Sequence, residues 1–142
     1  MTKLHLNTRI SKLRIPELYI SDFEIRCMTI TELHLGVRPV PVFATEVANS
    51  IEETGLANPV IVVRGPAEDL RAELTRMGHA NHKFLPDSPV LNCVFGGTNR
   101  VFAAQSLGYT HIDCILLPTF QLGAKLQDLQ RASYGKGRAS QV

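Results

Sequence analysis

The run Val60-Ile61-Val62-Val63, bounded by Pro59 and Gly65, is four β-branched residues long and contains no polar residue. Side chains on a strand alternate between two faces, so an apolar run without alternation must be covered on both. The segment before it, TEVANSIEETG at 45 to 55, has the pattern of a short amphipathic helix. Thr45 can cap it, Val47, Ile51 and Thr54 share a face, and Gly55 can close it in the left-handed conformation. A helix leading into a doubly buried strand predicts α/β layering.

The same alternation recurs further on. VLNCVF reads as a strand, GGT as a tight turn, NRVFAAQSL as a helix ended by Gly108, and THIDCILL as a strand stopped by Pro118. Earlier, PAEDLRAELTRMG stacks Leu70, Leu74 and Met77 as a helix, and HANHKFLPDSP reads as a surface loop. In the first third, short strands are expected near Leu18 to Ile20 and Met28 to Leu35. In GVRPVPV, Pro39 and Pro41 exclude regular ladder pairing or a continuous helix, which places Arg38 on an extended connector. Leu122, Leu126 and Leu129 mark one more helix, fraying into a Gly- and Ser-rich tail.

At 142 residues the chain suits one compact domain, and its 44% hydrophobic and 20% charged composition is that of a globular protein. No apolar run approaches the roughly 20 residues of a membrane helix, and MTKLHLNTRISKLR lacks a signal-peptide core. A soluble, cytoplasmic protein with no membrane partner is expected. Cys27, Cys93 and Cys114 have no C-x-x-C spacing, which argues against a disulfide framework and a structural zinc site; all three read as buried thiols. His79 and His82 form a His-x-x-His pair without a third ligand nearby, and read as a solvated loop. No metal site is expected. The net charge of +2 is segregated: residues 1 to 14 carry four basic residues and no acid, residues 125 to 142 carry four against Asp128, and the middle holds 7 basic and 12 acidic residues. The basic ends make nucleic acid a candidate partner.

The turn Gly96-Gly97-Thr98-Asn99-Arg100 is the strongest functional signal. A strand turning into a helix presents backbone N–H groups at the helix start, where the macrodipole favours an anion. Glycine lets a ligand approach, Arg100 brings a guanidinium, and Thr98 and Asn99 add a hydroxyl and an amide. The turn follows neither the Walker nor the G-x-G-x-x-G pattern. On local physics alone, a Gly-Gly bend with a Thr cap explains it equally well.

Two separated segments, VANSIEETGLANPVIVV and FGGTNRVFAAQSLGYTHIDCIL, resemble the ParB/sulfiredoxin superfamily over about Gly36 to Leu117. The spacing from Arg100 through Ala103, Ala104, Leu107, Gly108 and Tyr109 is similar to ParB; FGG and VRPVP are similar to sulfiredoxin. The resemblance implies a small α/β (α+β) domain, a mixed sheet packed with helices, whose glycine turn opens a phosphate-facing helix. It also implies a nucleotide ligand, ATP or another nucleotide such as CTP, with Mg²⁺ as an accompanying ion. Gly96, Gly97, Thr98, Asn99 and Arg100 would form the phosphate loop, faced by Arg38 and by the Ser50 hydroxyl. Arg100, Arg38 and Glu46 would be the catalytic candidates, Glu46 lying one turn before Ser50 where it can approach a metal ion. Glu32 is a further candidate base.

The departures from the family matter. Thr98 stands where sulfiredoxin has its reactive cysteine and Asn99 where it has a histidine, so sulfinic acid repair is not expected. Only 24 residues follow Pro118, so a helix-turn-helix DNA-binding domain of the partition-protein kind is not expected here. The expected division is 1–35, N-terminal strands and basic arm; 36–118, nucleotide-binding core with 66–89 inserted; and 119–142, C-terminal helix and basic tail. The expected function is nucleotide binding with NTP hydrolysis or phosphotransfer. A nucleic-acid-associated module or nuclease, and an inactive structural or assembly protein, are the alternatives; a second copy of the chain is a further candidate partner.

Overall fold

A computed structural model of the chain describes residues 2–7, 12–15, 20–35, 41–78 and 86–134. Among them lie β1 (Lys3–Leu4), β2 (Lys12–Ile15), β3 (Ile20–Thr29), a 3-10 turn (Ile30–Glu32) and β4 (His34–Leu35). There follow α1 (Pro41–Thr54), β5 (Val60–Pro66), α2 (Ala67–Arg76), β6 (Val90–Gly96), α3 (Thr98–Ser106), β7 (His111–Leu117) and α4 (Phe120–Tyr134). The chain is a mixed α/β domain. Its seven-stranded sheet runs β2-β3-β7-β5-β6-β4, with β1 also paired to β7. β7 is parallel to β5 and β1 and antiparallel to β3; β6 is antiparallel to β5 and parallel to β4.

The VIVV run is covered on both faces, as its composition requires. Val60 and Val62 pack with Val47 and Ile51 of α1 and Val101, Ala103 and Ala104 of α3. Ile61 packs with Leu126 of α4, and Val63 with Leu70 and Leu74 of α2 and Phe120 of α4. β7 alternates likewise: Ile112 and Cys114 join the α1/α3 layer, while Ile115 and Leu117 join the α4 layer.

Several boundaries differ from the sequence reading, each for a physical reason. α1 begins at Pro41 and not at Thr45, which is an exposed residue inside the helix. Proline lacks only an N–H that the first helical turn does not use, and its fixed φ suits that position. β3 is one strand of 10 residues, because residues 25 to 29 have a ladder partner in β7. The expected strand over Met28 to Leu35 is interrupted by the 3-10 turn at Ile30; Leu18 lies outside the described residues. Lys3 and Lys12, read as parts of a basic arm, sit in β1 and β2. Gly55 closes α1 at φ 76°, its N–H donating to the Ile51 carbonyl at 2.8 Å.

Ile115 is fully buried between β5 and α4. Ile115→Ala should lower unfolding free energy by about 2–5 kcal/mol, whereas Val42→Ala on the exposed side of α1 should change it by less than about 0.5 kcal/mol. Urea midpoints of the two variants check this.

Candidate functional site

The glycine turn joins the end of β6 to α3 at one end of the sheet. Gly97 is the N-cap residue of α3, at φ 117° and ψ 21°, and no side chain caps the helix. The first intrahelical bond runs from the Val101 N–H to the Gly97 carbonyl at 2.9 Å. The amides of Thr98, Asn99 and Arg100 lie in the first turn of α3, where helix geometry supplies no carbonyl partner from within the helix. The Thr98 and Asn99 side chains are half-buried there.

Arg100 turns inward. The residue is only 1% exposed. Its Nη1 donates to the carbonyls of Asn58 at 2.9 Å and Pro59 at 3.0 Å, and its Nη2 to the Gly96 carbonyl at 3.1 Å. The two segments that carry the family resemblance, the Gly55-to-Pro59 approach to β5 and the glycine turn, are thus tied together by one guanidinium. A Cβ on Gly97 would stand 2.8 Å from Arg100 Nη2 and 2.9 Å from Nε, and one on Gly96 would stand 2.9 Å from Ile61 Cδ1. Gly97 is needed both for its left-handed backbone and for the room the Arg100 fork fills, whereas a Cβ at Gly96 would press only on the end of the Ile61 side chain. The guanidinium expected to grip an anion is directed to backbone carbonyls under the turn.

Ser50 is half-buried on α1, and Glu46 is exposed one turn earlier. α1 delivers the chain to Asn58 and Pro59, so the Ser50 end of the helix is the end nearer the turn and Glu46 lies further back. Between α1 and α3 is an open groove of about 220 Å³ lined by Ala44, Thr45, Ala48, Phe102, Ala103 and Ser106. Glu32 is exposed on the 3-10 turn, where its carbonyl accepts from Asn92 Nδ2 at 3.5 Å. Arg38, His79 and His82 lie outside the described residues.

Of the three cysteines, Cys93 and Cys114 are buried as expected, but Cys27 is exposed. Burial pushes the Cys93 thiol up to about 11, only partly offset by Arg71. Burial likewise raises Cys114, against a smaller opposing effect of Arg100. Both are protonated and unreactive at neutral pH. Cys27 belongs to a group that the sequence reading missed, in which its thiol, His5 and Asp113 offer ligand atoms within 4.8 Å of one another. No local spacing signals this group, because His5 and Asp113 are 108 positions apart and meet only through strand pairing.

No family model and no curated protein matches the chain. Among solved structures, the chain is similar to the crystal structure of sulfiredoxin from Arabidopsis thaliana at 18% identity and a TM-score of 0.43, over 71% of this chain and 93% of that one.

Removing the Arg100 fork leaves the Asn58, Pro59 and Gly96 carbonyls without these donors, so Arg100→Met should cost about 3 kcal/mol or more. Gly97→Ala should cost about 2 kcal/mol, from its positive φ and the crowding of Arg100. Gln105→Ala, exposed on the same helix, should stay within about 0.5 kcal/mol of the parent. Thermal midpoints of the three variants distinguish these outcomes.

Proposed function

We propose that the chain is a nucleotide-binding domain that takes the phosphates of a nucleoside di- or triphosphate at the N-terminus of α3, and that it acts as an NTP hydrolase or phosphotransferase. The observation that supports this reading is the start of a nine-residue helix at a glycine turn, capped by a glycine that contributes no side chain and backed by the buried cation of Arg100. Helix dipole and guanidinium both make the turn electropositive, and backbone amides at a glycine turn match phosphate oxygens.

In this reading Thr98 and Asn99 touch the phosphates directly. Arg100 acts from beneath, fixing the amides and adding charge, and Ser50 serves from α1. Arg38 is the second cation of this reading, and Glu46 assists a Mg²⁺ ion that accompanies ATP, CTP or a similar nucleotide. Phosphoryl transfer needs mainly positioning and charge neutralisation, so this set can serve it without the thiol and imidazole that Thr98 and Asn99 replace.

A second reading is favoured by the same guanidinium. Arg100 directs its donors to the chain's own carbonyls, and Gly97 leaves the room that Arg100 fills, so the turn also makes sense as a purely structural joint in an inactive assembly protein.

Thr98→Glu separates the two. A carboxylate in the first turn of α3 stabilises the helix by about 0.3–1 kcal/mol, so the variant should fold at least as well as the parent. It should also repel phosphate. Under the nucleotide reading, at least one of ATP, ADP, CTP and GTP with Mg²⁺ raises the melting temperature of the parent, and Thr98→Glu abolishes that rise. A parent protein that responds to none of the four establishes the structural reading instead.

A further inference from the structure

β7 carries Asp113 in the middle of three strands. In the β3–β7 ladder Cys27 is its direct partner, and in the parallel β1–β7 ladder Leu4 pairs with Ile112, which brings His5 alongside it. The neighbours Leu4, Met28, Ile112 and Cys114 all belong to the α1/α3 layer. By alternation Asp113 and Cys27 share the opposite face, and His5, the residue after β1, lies beside Asp113 there.

Within that group the carboxylate is fixed. Asp113 is 7% exposed, its Oδ2 accepts the Leu6 N–H at 2.8 Å, and its Oδ1 lies 3.1 Å from His5 Nδ1. The Cys27 sulfur completes the group, its ligand atom and those of His5 and Asp113 all lying within 4.8 Å of one another. His5 and Cys27 reach solvent, which gives an ion a way in.

We infer that His5, Cys27 and Asp113 form a binding site for a borderline divalent transition-metal ion of the Zn²⁺ class, with a fourth position open to water. The donor set selects that class: thiolate and imidazole exclude Ca²⁺ and Mg²⁺, which want oxygen ligands, while one sulfur, one nitrogen and one oxygen are ordinary zinc donors. Two ligands at about 2.0–2.1 Å on a tetrahedral ion stand roughly 3.3 Å apart, close to the 3.1 Å between His5 Nδ1 and Asp113 Oδ1. A thiolate and a carboxylate neutralise the doubly charged ion, and the thiol proton leaves to solvent on binding. The Leu6 N–H bond to Asp113 Oδ2 orients the ligating carboxylate from outside, as such partners do in metal sites. This site does not depend on nucleotide binding at the glycine turn.

Titration of the full chain with Co²⁺ tests the site, since cobalt bound to a thiolate gives a charge-transfer absorption in the near ultraviolet. The parent should show that band saturating at one ion per chain, and saturating Zn²⁺ should raise its melting temperature by several degrees. Cys27→Ser should lose the band, Cys93→Ser should retain it, and His5→Gln should weaken Co²⁺ binding roughly tenfold or more. Asp113→Asn keeps an acceptor for Leu6 and so protects folding; it too should weaken binding. A parent without the band, or a band and Zn²⁺ shift that persist in Cys27→Ser, overturns the assignment.

Discussion

The guanidinium of Arg100 is the interaction on which the end of the sheet depends. Asn58 and Pro59 lead into β5, and Gly96 ends β6, so their carbonyls converge from two segments at a place almost closed to water. Buried carbonyls need donors, and a planar fork with several N–H groups can serve carbonyls of separate segments at once. A lysine ammonium has no such fixed geometry. The fork in turn dictates Gly97, whose Cβ would occupy the same space. The β5–β6 register shifts next to this junction, between Ile61 and Val62.

How much of this was legible in the sequence follows from the range of each interaction. The VIVV run, the α2 stripe of Leu70 and Leu74, and the closing glycines Gly55 and Gly108 act over a few residues, and the structure bears them out. The start of α1 was misread because a proline was weighed as a helix breaker when its place in the first turn makes it a helix starter. β3 was read as fragments because its length is set by β7, some 85 positions away in the chain.

Side-chain destinations were the least legible. The sequence places Arg100 in the first turn of a helix, but whether the guanidinium points out to an anion or in to Asn58 and Pro59 depends on residues about 40 positions earlier. The expectation that Cys27 is a buried thiol fails, although its neighbour Met28 is buried. On a strand, however, adjacent positions face opposite ways, and its parity puts it with Asp113. The His5, Cys27 and Asp113 group has no spacing motif, since it is written in the register of two ladders.

The two buried charges at this end of the sheet obey a common rule. Arg100 and Asp113 are each anchored on the backbone, the cation by three carbonyls and the anion by the Leu6 amide. The segments that supply these groups are themselves laced together: Leu6 bridges Leu56, the Asn7 N–H donates to the Leu56 carbonyl at 2.9 Å, and the Asn7 side chain fills the space beside Gly55. A polar seam therefore runs from residues 6–7 through 55–59 to the glycine turn, and returns from Leu6 to Asp113. The middle of β5 and β7, covered by helices on both faces, is lined by apolar groups; the polar ones are collected at the end, where backbone donors and acceptors can compensate them. Leu6 and Asn7, which follow β1 within the segment that charge marks as a basic arm, form one side of that seam, and through them the N-terminal segment is tied to the same strand ends that carry both candidate sites.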